Sequence, residues 1–306
     1  MLRLVTLMLF FLAASPARAD DLPDRFAVAV MPTPVFNSPQ IQSLFGGSTG
    51  RSLKLDRCGQ MRELEFIALT GTVFRVHEEI AAPPVTTYRV TTADYPYPTS
   101  KGYYIDSRCV RITSHKPPER TRQLPSREAV MASLRSAAGL PYVWGGNVRQ
   151  GIPELLTFYP PDDKLMSDSK RSQWQLKGLD CSGLLYEASG GWTPRNTSSL
   201  VNFGQHVDVA GRSPSSIARL LQPLDLIVWP GHVLIVLDKG EVIESILNCN
   251  NKQSGVIISR LAVRLAEIMR RRQPTEKLEV SAAQNDRFFV ARRWYGVTST
   301  PADISF

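Results

Sequence analysis

Between Lys116 and Gln123 the chain changes its period, and that change restricts what it can fold into. Before it, apolar residues come in short runs without helical spacing: Phe26-Ala-Val-Ala-Val30, Arg62 to Leu69, Thr72 to His77, Thr86 to Thr92 and Gly102 to Asp106. Thr70-Gly71 stands between two of these runs as a two-residue hairpin signal, and Tyr95-Pro-Tyr-Pro98 reads as a loop. Short strands with turn signals predict a small β-barrel over residues 25–115. The stretch 116–123, Lys-Pro-Pro-Glu-Arg-Thr-Arg-Gln, is a polar linker. After it Ser126 caps a helix whose apolar residues Val130, Met131, Leu134, Ala137 and Ala138 share one face, and Gly139 ends it. An all-β part is thus followed by a mixed part over 124–306, and the fold class is α+β.

The first nineteen residues stand apart. Arg3 gives a basic start, Leu4 to Ala14 is apolar, and Ala17-Arg18-Ala19 matches a small-x-small cleavage site, so 1–19 reads as a secretory signal peptide. The expectation is an exported protein, periplasmic or secreted, starting near Asp20. No Cys follows the apolar run to take a lipid, and no other stretch approaches a membrane span, so no stable membrane insertion is expected after cleavage. Loss of Arg3 and Arg18 lowers the formal charge from +8 to +6. That balance suits a polyanionic surface such as cell wall, or serves solubility alone. Clustered aromatic and basic motifs of a nucleic-acid binder are missing, and no C-x-x-C or H-x-x-x-H spacing offers a zinc site, so neither nucleic acid nor cofactor is expected.

Beyond the linker, Leu224 to Trp229, His232 to Leu237, Glu241 to Ile246, Val256 to Ser259 and Phe288 to Trp294 read as strands. Leu261 to Arg272 reads as an amphipathic helix. The insert 147–177 contains Tyr159-Pro-Pro-Asp-Asp163, which breaks any regular element. A loop of that length is a lid or substrate wall, or a tolerated surface insertion.

Four cysteines remain after processing: Cys58, Cys109, Cys181 and Cys249. Cys58 and Cys109 lie in the same part and could bridge, a matter of geometry that spacing leaves open. Cys181 sits in Gly178-Leu-Asp-Cys-Ser-Gly-Leu-Leu-Tyr-Glu187, at the first turn of a short helix, where unpaired N–H groups favour a thiolate. The other reading is a small buried hydrophobe. A thiol nucleophile needs a base, and the base needs an orienting group. His232 follows Pro230-Gly231 at a strand start, and Glu244 lies on the return strand. If Asp238-Lys239-Gly240 is a three-residue loop, residue 232 faces 246 and Glu244 is diagonal to His232 on the same face, roughly 7–8 Å away at the backbone. A two-residue loop would send it to the opposite face. The apolar flanks Val242, Ile243 and Ile246 favour the first register, because a buried carboxylate needs a partner. His206 is the rival base; His77 and His115 lie outside this part. Tyr95, Tyr97 and Tyr103 are core residues of the small barrel or a ligand-facing surface.

Leu140-Pro-Tyr-Val-Trp-Gly-Gly146, Asp180-Cys-Ser-Gly-Leu184, Pro194-Arg195, Asp225-Leu-Ile227 and His232-Val233 occur in the order found in the NlpC/P60 cysteine peptidases, which residues 125 to 296 resemble. Residues 25–115 resemble a bacterial SH3-like domain. The resemblance implies a papain-like core, with a Cys-bearing helix packed on an antiparallel sheet that carries the His. It implies hydrolysis of peptidoglycan stem peptides, typically between γ-linked D-glutamate and a diamino acid such as diaminopimelate. By position Cys181 is then the nucleophile, His232 the general base and Glu244 the third polar residue, most often His in that family. The Cys181 N–H and the Tyr142 hydroxyl would hold the oxyanion, and Asp180 and Ser182 the amino-terminal end of the substrate; Arg195 would meet a substrate carboxylate or, as an Arg after Pro at a helix start, be simply structural. Three departures stand out: the long insert, Leu224 where Gly usually precedes Asp-Leu, and Glu for His at 244. An amidase or acyltransferase acting on the wall with the same triad, and a non-catalytic peptidoglycan binder, are the alternatives.

Overall fold

The computed structural model describes residues 25–47, 49–83, 85–162, 166–250, 254–278 and 287–296; the expected signal peptide lies outside them. It is a mixed α/β structure built on antiparallel sheets. Within the described residues, no helix is long and apolar enough to cross a membrane.

The N-terminal part is a seven-stranded antiparallel sheet. Its strands are β1 (Arg25–Ala29), β2 (Thr33–Phe36), β3 (Leu64–Ala68), β4 (Val73–Ala82), β5 (Val85–Thr91), β6 (Tyr103–Asp106) and β7 (Val110–Thr113), with a one-turn helix α1 (Ile41–Leu44) after β2. They lie in the order β3-β2-β6-β5-β4-β1-β7. The hairpin expected across Thr70-Gly71 does not form: β3 pairs with β2, and β4 pairs with β1 and β5. Thr70-Gly71 is still a tight turn, closed by the Thr72 N–H on the Leu69 carbonyl at 3.0 Å. Pairing of β3 with β4 is prevented because Ala29 occupies that corner, accepting from the Gly71 N–H at 2.8 Å and donating to the Thr72 carbonyl at 3.0 Å. Strands β2 and β7 escaped the sequence reading, β2 because Pro32 and Pro34 mask it.

The C-terminal part begins with α2 (Arg127–Ser136), capped as expected by Ser126 on the Ala129 N–H. In order follow β8 (Asn147–Val148), α3 (Leu155–Phe158), α4 (Asp168–Trp174), β9 (Gly178–Leu179), α5 (Cys181–Ala188), α6 (Thr197–Leu200), β10 (Gln205–Val207) and α7 (Pro214–Leu220). The chain continues as β11 (Leu226–Trp229), β12 (His232–Val236), β13 (Glu241–Ile246), β14 (Gly255–Arg260), α8 (Leu261–Met269), β15 (Gln273–Pro274) and β16 (Phe288–Arg293). The sheet order is β10-β16-β11-β12-β13-β14, antiparallel throughout, with β15 adding parallel to β16. Leu184, Leu185 and Ala188 of α5 share one buried cluster with Val130 and Leu134 of α2 and with Val228, Val233, Ile235 and Ile243 of the sheet. Leu224 has φ +75 and is 1% exposed. The departure from Gly there places a bulky residue in the left-handed region, held by burial and by its N–H on the Val236 carbonyl at 2.8 Å.

The insert is not a free loop. Tyr159-Pro160-Pro161 does end regular structure, but α3 and α4 form on either side. Ile152, Leu155, Tyr159, Trp174 and Leu176 are buried in a cluster with Phe36, Ile41, Phe45 and Met61 of the N-terminal part. Each such side chain contributes about 1.5–3 kcal/mol by burial, which argues against a hinged lid and against a dispensable surface insertion. The linker is likewise strapped down: Arg122 binds Asp94, and Arg120 donates to the Gly190 and Gly191 carbonyls. The cysteine pairing differs from the one considered from sequence. Cys58 is bonded to Cys249 across 191 residues, whereas Cys109 is a free, fully buried thiol. The reason is the shared core: it brings the 56–60 turn to the segment after β13, while Cys109 packs beneath β2 with its carbonyl facing Thr33.

Candidate active site

Cys181 is the first residue of α5. Asp180 is its N-cap, in extended conformation, with its carboxylate accepting from the Gly183 N–H at 2.6 Å. Position 183 must be Gly, because a Cβ there would lie 2.0 Å from the Gly146 carbonyl oxygen. That contact lets the segment ending in Gly146 cross the start of the helix, and the Asp180 N–H bonds the same carbonyl at 2.9 Å. Cys181 is 7% exposed, and its thiol donates to the Gly231 carbonyl at 3.8 Å.

His232 opens β12, directly after the Gly231 turn. The ladder pairs Ile235 with Ile243 and Val236 with Val242, and Leu237 N–H bonds the Glu241 carbonyl at 2.9 Å. This is the three-residue-loop register, and it puts Glu244 on the face of His232. Their side chains meet at 2.7 Å between His232 Nε2 and Glu244 Oε2. With Nε2 committed to Glu244, Nδ1 is the nitrogen left to serve the thiol, which lies on the carbonyl of Gly231, the residue before His232. Burial alone would push the imidazole pKa down, but the hydrogen bonds and charges of Cys181 and Glu244 prevail and raise it to about 9.

Glu244 is fully buried, and a second partner holds it. Arg264 of α8 donates from Nε to Oε1 at 2.6 Å and from Nη2 to Oε2 at 3.0 Å, and it also reaches Glu267 at 3.0 Å. Burial favours the neutral acid, yet the hydrogen bonds from His232 and Arg264 carry the Glu244 pKa below its ordinary value. Sequence reasoning missed Arg264. The available signal was its place beside the buried stripe Leu261, Leu265 and Ile268 of α8.

Arg195, Asp180 and Ser182 form a closed cluster. Arg195 is 3% exposed and donates from Nε to Asn147 Oδ1 (3.0 Å), from Nη1 to Asp180 Oδ1 (3.0 Å) and Ser182 Oγ (2.9 Å), and from Nη2 to Asp180 Oδ2 (2.6 Å) and the Gly146 carbonyl (3.4 Å). All five guanidinium N–H groups are committed, so none is left for the substrate carboxylate expected of it. Burial lowers the Arg195 pKa, and the Asp180 charge and hydrogen bonds more than reverse that. Asn147 extends the cluster to the N-terminal sheet, accepting from the Ile67 N–H at 3.0 Å and donating to the Ile67 carbonyl at 2.8 Å.

A cleft of about 190 Å³ opens at the thiol, lined by Cys181, Asp180, Ser182, Tyr142, Trp144, Gly231 and, from the N-terminal part, Glu65 and Tyr95. Among the described residues the Tyr142 hydroxyl makes no hydrogen bond, and burial with the neighbouring Asp180 and Cys181 pushes its pKa up, so it keeps its proton. A larger cavity, about 590 Å³, lies elsewhere, against the N-terminal sheet, and Tyr95, Tyr97 and Tyr103 border it. Tyr95 and Tyr103 are nevertheless 6% and 5% exposed, so they serve the core and show only an edge. His206 is exposed on β10, within 4.8 Å of Asp208 and Glu276, and lines no part of the cleft.

No family model and no curated protein matches the chain. Among solved structures the neighbours are NlpC/P60 proteins. A NlpC/P60 family protein from Bacillus cereus aligns over 90% of this chain and 65% of its own, at 16% identity and TM-score 0.32. The peptidoglycan hydrolase RipB of Mycobacterium tuberculosis aligns over 44% of this chain and 57% of its own, at 27% identity and TM-score 0.28. RipD of Mycobacterium tuberculosis, a non-catalytic NlpC/p60 domain protein adapted to peptidoglycan binding, aligns over 44% and 86%, at 21% identity and TM-score 0.28. The chain thus spans under two thirds of the first two neighbours, and TM-scores this low say nothing about activity, which must be argued from the residues at the thiol.

Proposed function

We propose that the protein is an exported cysteine endopeptidase of peptidoglycan stem peptides, acting on the γ-D-glutamyl–diamino acid bond. Cys181, His232 and Glu244 are its catalytic residues. The observation that supports this reading is the 2.7 Å contact of His232 with buried Glu244, beside a Cys181 thiol that lies on the carbonyl of Gly231 at the open cleft. The Cys181 thiolate attacks the scissile carbonyl, and the Cys181 N–H and the Tyr142 hydroxyl receive the oxyanion. As the C–N bond breaks, His232 Nδ1–H gives its proton to the leaving amine, and a thioester remains on Cys181. Water, deprotonated by His232, then attacks the thioester, releasing the new carboxylate and restoring the thiol. The Nε2–H on Glu244 fixes the ring throughout.

Residues 124–306 form the NlpC/P60-like catalytic domain in this reading. Residues 25–115 are an SH3-like wall that brings Glu65 and Tyr95 to the cleft, where the Glu65 carboxylate suits a substrate amino terminus. Asp180 and Ser182 line the cleft beside the nucleophile, and Arg195 acts as the buttress that aligns them. Incubating defined muropeptides with the protein and identifying the products by mass tests the assignment. A free γ-D-glutamyl carboxylate and a free diamino-acid amine are expected, and none with Cys181→Ala. Equal release by Cys181→Ala would defeat it. Sugar–peptide cleavage or transfer to an added amine would instead identify the amidase or acyltransferase reading, and binding without cleavage the non-catalytic one.

A further inference from the structure

Tyr142 borders two cavities. One is the cleft at Cys181; the other, about 270 Å³, is lined by Gln60 and Met61 of the N-terminal part and by Ser172, Gln173, Leu176 and Lys177 of the insert. The insert shapes this second cavity through the way α4 ends. The Leu176 N–H bonds the Gln173 carbonyl at 3.0 Å and the Lys177 N–H bonds the Ser172 carbonyl at 2.9 Å, the paired bonds of a Schellman cap. Such a cap places its turning residue in the left-handed region, normally Gly, and here Leu176 takes φ +53. Burial of Leu176 at 2% exposure in the shared core holds that turn and sets Lys177 on the cavity wall.

Lys177 is half-buried, and its ammonium has no hydrogen-bond or ion-pair partner among the described residues. The arginines around the site behave differently, since Arg62 is paired with Asp56, Arg195 with Asp180 and Arg264 with Glu244. An unmatched cation in a partly desolvated cavity favours an anion. The two cavities beside Tyr142 therefore differ in sign, with Glu65 in the cleft and Lys177 beyond it. A peptide runs from ammonium to carboxylate and fits across them in one direction.

We propose that the second cavity is a substrate compartment built by the insert, which receives the leaving half of the peptide and holds a carboxylate of it on Lys177. The inference rests on the peptidase reading and adds a specificity to it. The probe is a lysine-containing four-residue stem peptide, prepared as the free acid and as the C-terminal amide. Each is titrated by calorimetry into the full chain carrying Cys181→Ala, so that binding is read without turnover. The acid is expected to bind about tenfold tighter than the amide, the scale of one charge-assisted hydrogen bond. Lys177→Met should abolish that difference while leaving amide affinity and the urea midpoint unchanged, and Lys177→Arg should keep it. Equal binding of acid and amide, no binding of either, or an acid preference that survives Lys177→Met would overturn the inference. Turnover by the unmodified protein is measured separately: absence of cleavage counts against the peptidase reading and leaves the binding preference to be judged by itself.

Discussion

Arg264 grips both oxygens of Glu244, and His232 shares one of them. The carboxylate is therefore turned toward the imidazole and kept ionised in a place where burial alone would protonate it. Arg264 acts through Glu244, so its loss should appear in the pH profile before anything else. Arg264→Met is expected to lower kcat/KM by about tenfold, a fraction of the usual acid–base contribution. It should also move the alkaline limb to lower pH, with Arg264→Lys recovering part of both. A full pH profile of Arg264→Met that superimposes on the unmodified protein would remove Arg264 from the machinery.

The raised His232 pKa has a direction that can be checked directly. Its partners favour the imidazolium, so the stability they contribute is complete below the unfolded value near 6.5 and disappears as pH rises through about 9. The proton for the leaving amine is lost over the same range, so activity should decline toward pH 9. Glu244→Gln removes the charge and leaves the burial, which lowers a His pKa. Its alkaline limb should shift to lower pH with the fold retained, as read by NMR titration of the His232 ring and by circular dichroism.

The helix start at Cys181 and the pairing of His232 with Glu244 were legible because each is set locally. Asp180 before Cys181 marks a helix start, and Asp238-Lys239-Gly240 sets a register that carries Glu244 to the side of His232. Arg264 was not legible, since which flank of α8 meets Glu244 depends on how that helix docks. The Cys58–Cys249 bond and the Asn147–Ile67 pairing depend on how two parts of the chain come together, which no spacing records. Thr70-Gly71 shows the complementary case: the turn forms as written, but a third strand takes the hydrogen bonds a hairpin would use.

The sequence left Arg195 either a ligand for a substrate carboxylate or a structural residue, and its five committed donors fit the structural role. Removing it leaves Asp180 buried without its counter-charge, which costs about 3–5 kcal/mol. Arg195→Met should therefore lower the urea midpoint strongly. A residue that only binds substrate would instead raise KM at unchanged stability, and that outcome would return Arg195 to the ligand-binding set.

The Cys58–Cys249 bond braces one wall of the cleft. Two residues beyond Cys58, the Gln60 side chain accepts the Trp144 N–H at 2.9 Å, and Arg62 stacks on the Trp144 ring at 4.2 Å. Trp144 in turn lines the cleft beside Cys181. Closing so long a segment removes much freedom from the unfolded chain, and losing the bond should cost about 2–5 kcal/mol. A reductant then has opposing effects: it protects the Cys181 thiol and releases the brace. In Cys58→Ser/Cys249→Ser the melting temperature should fall and KM should rise more than kcat falls, because the wall is loosened while the triad stands. Adding dithiothreitol should bring the unmodified protein to the melting temperature of the double variant and leave the variant unmoved. A melting temperature insensitive to reductant in the unmodified protein, with the bond shown by mass to be broken, would mean that the shared core alone holds the wall in place.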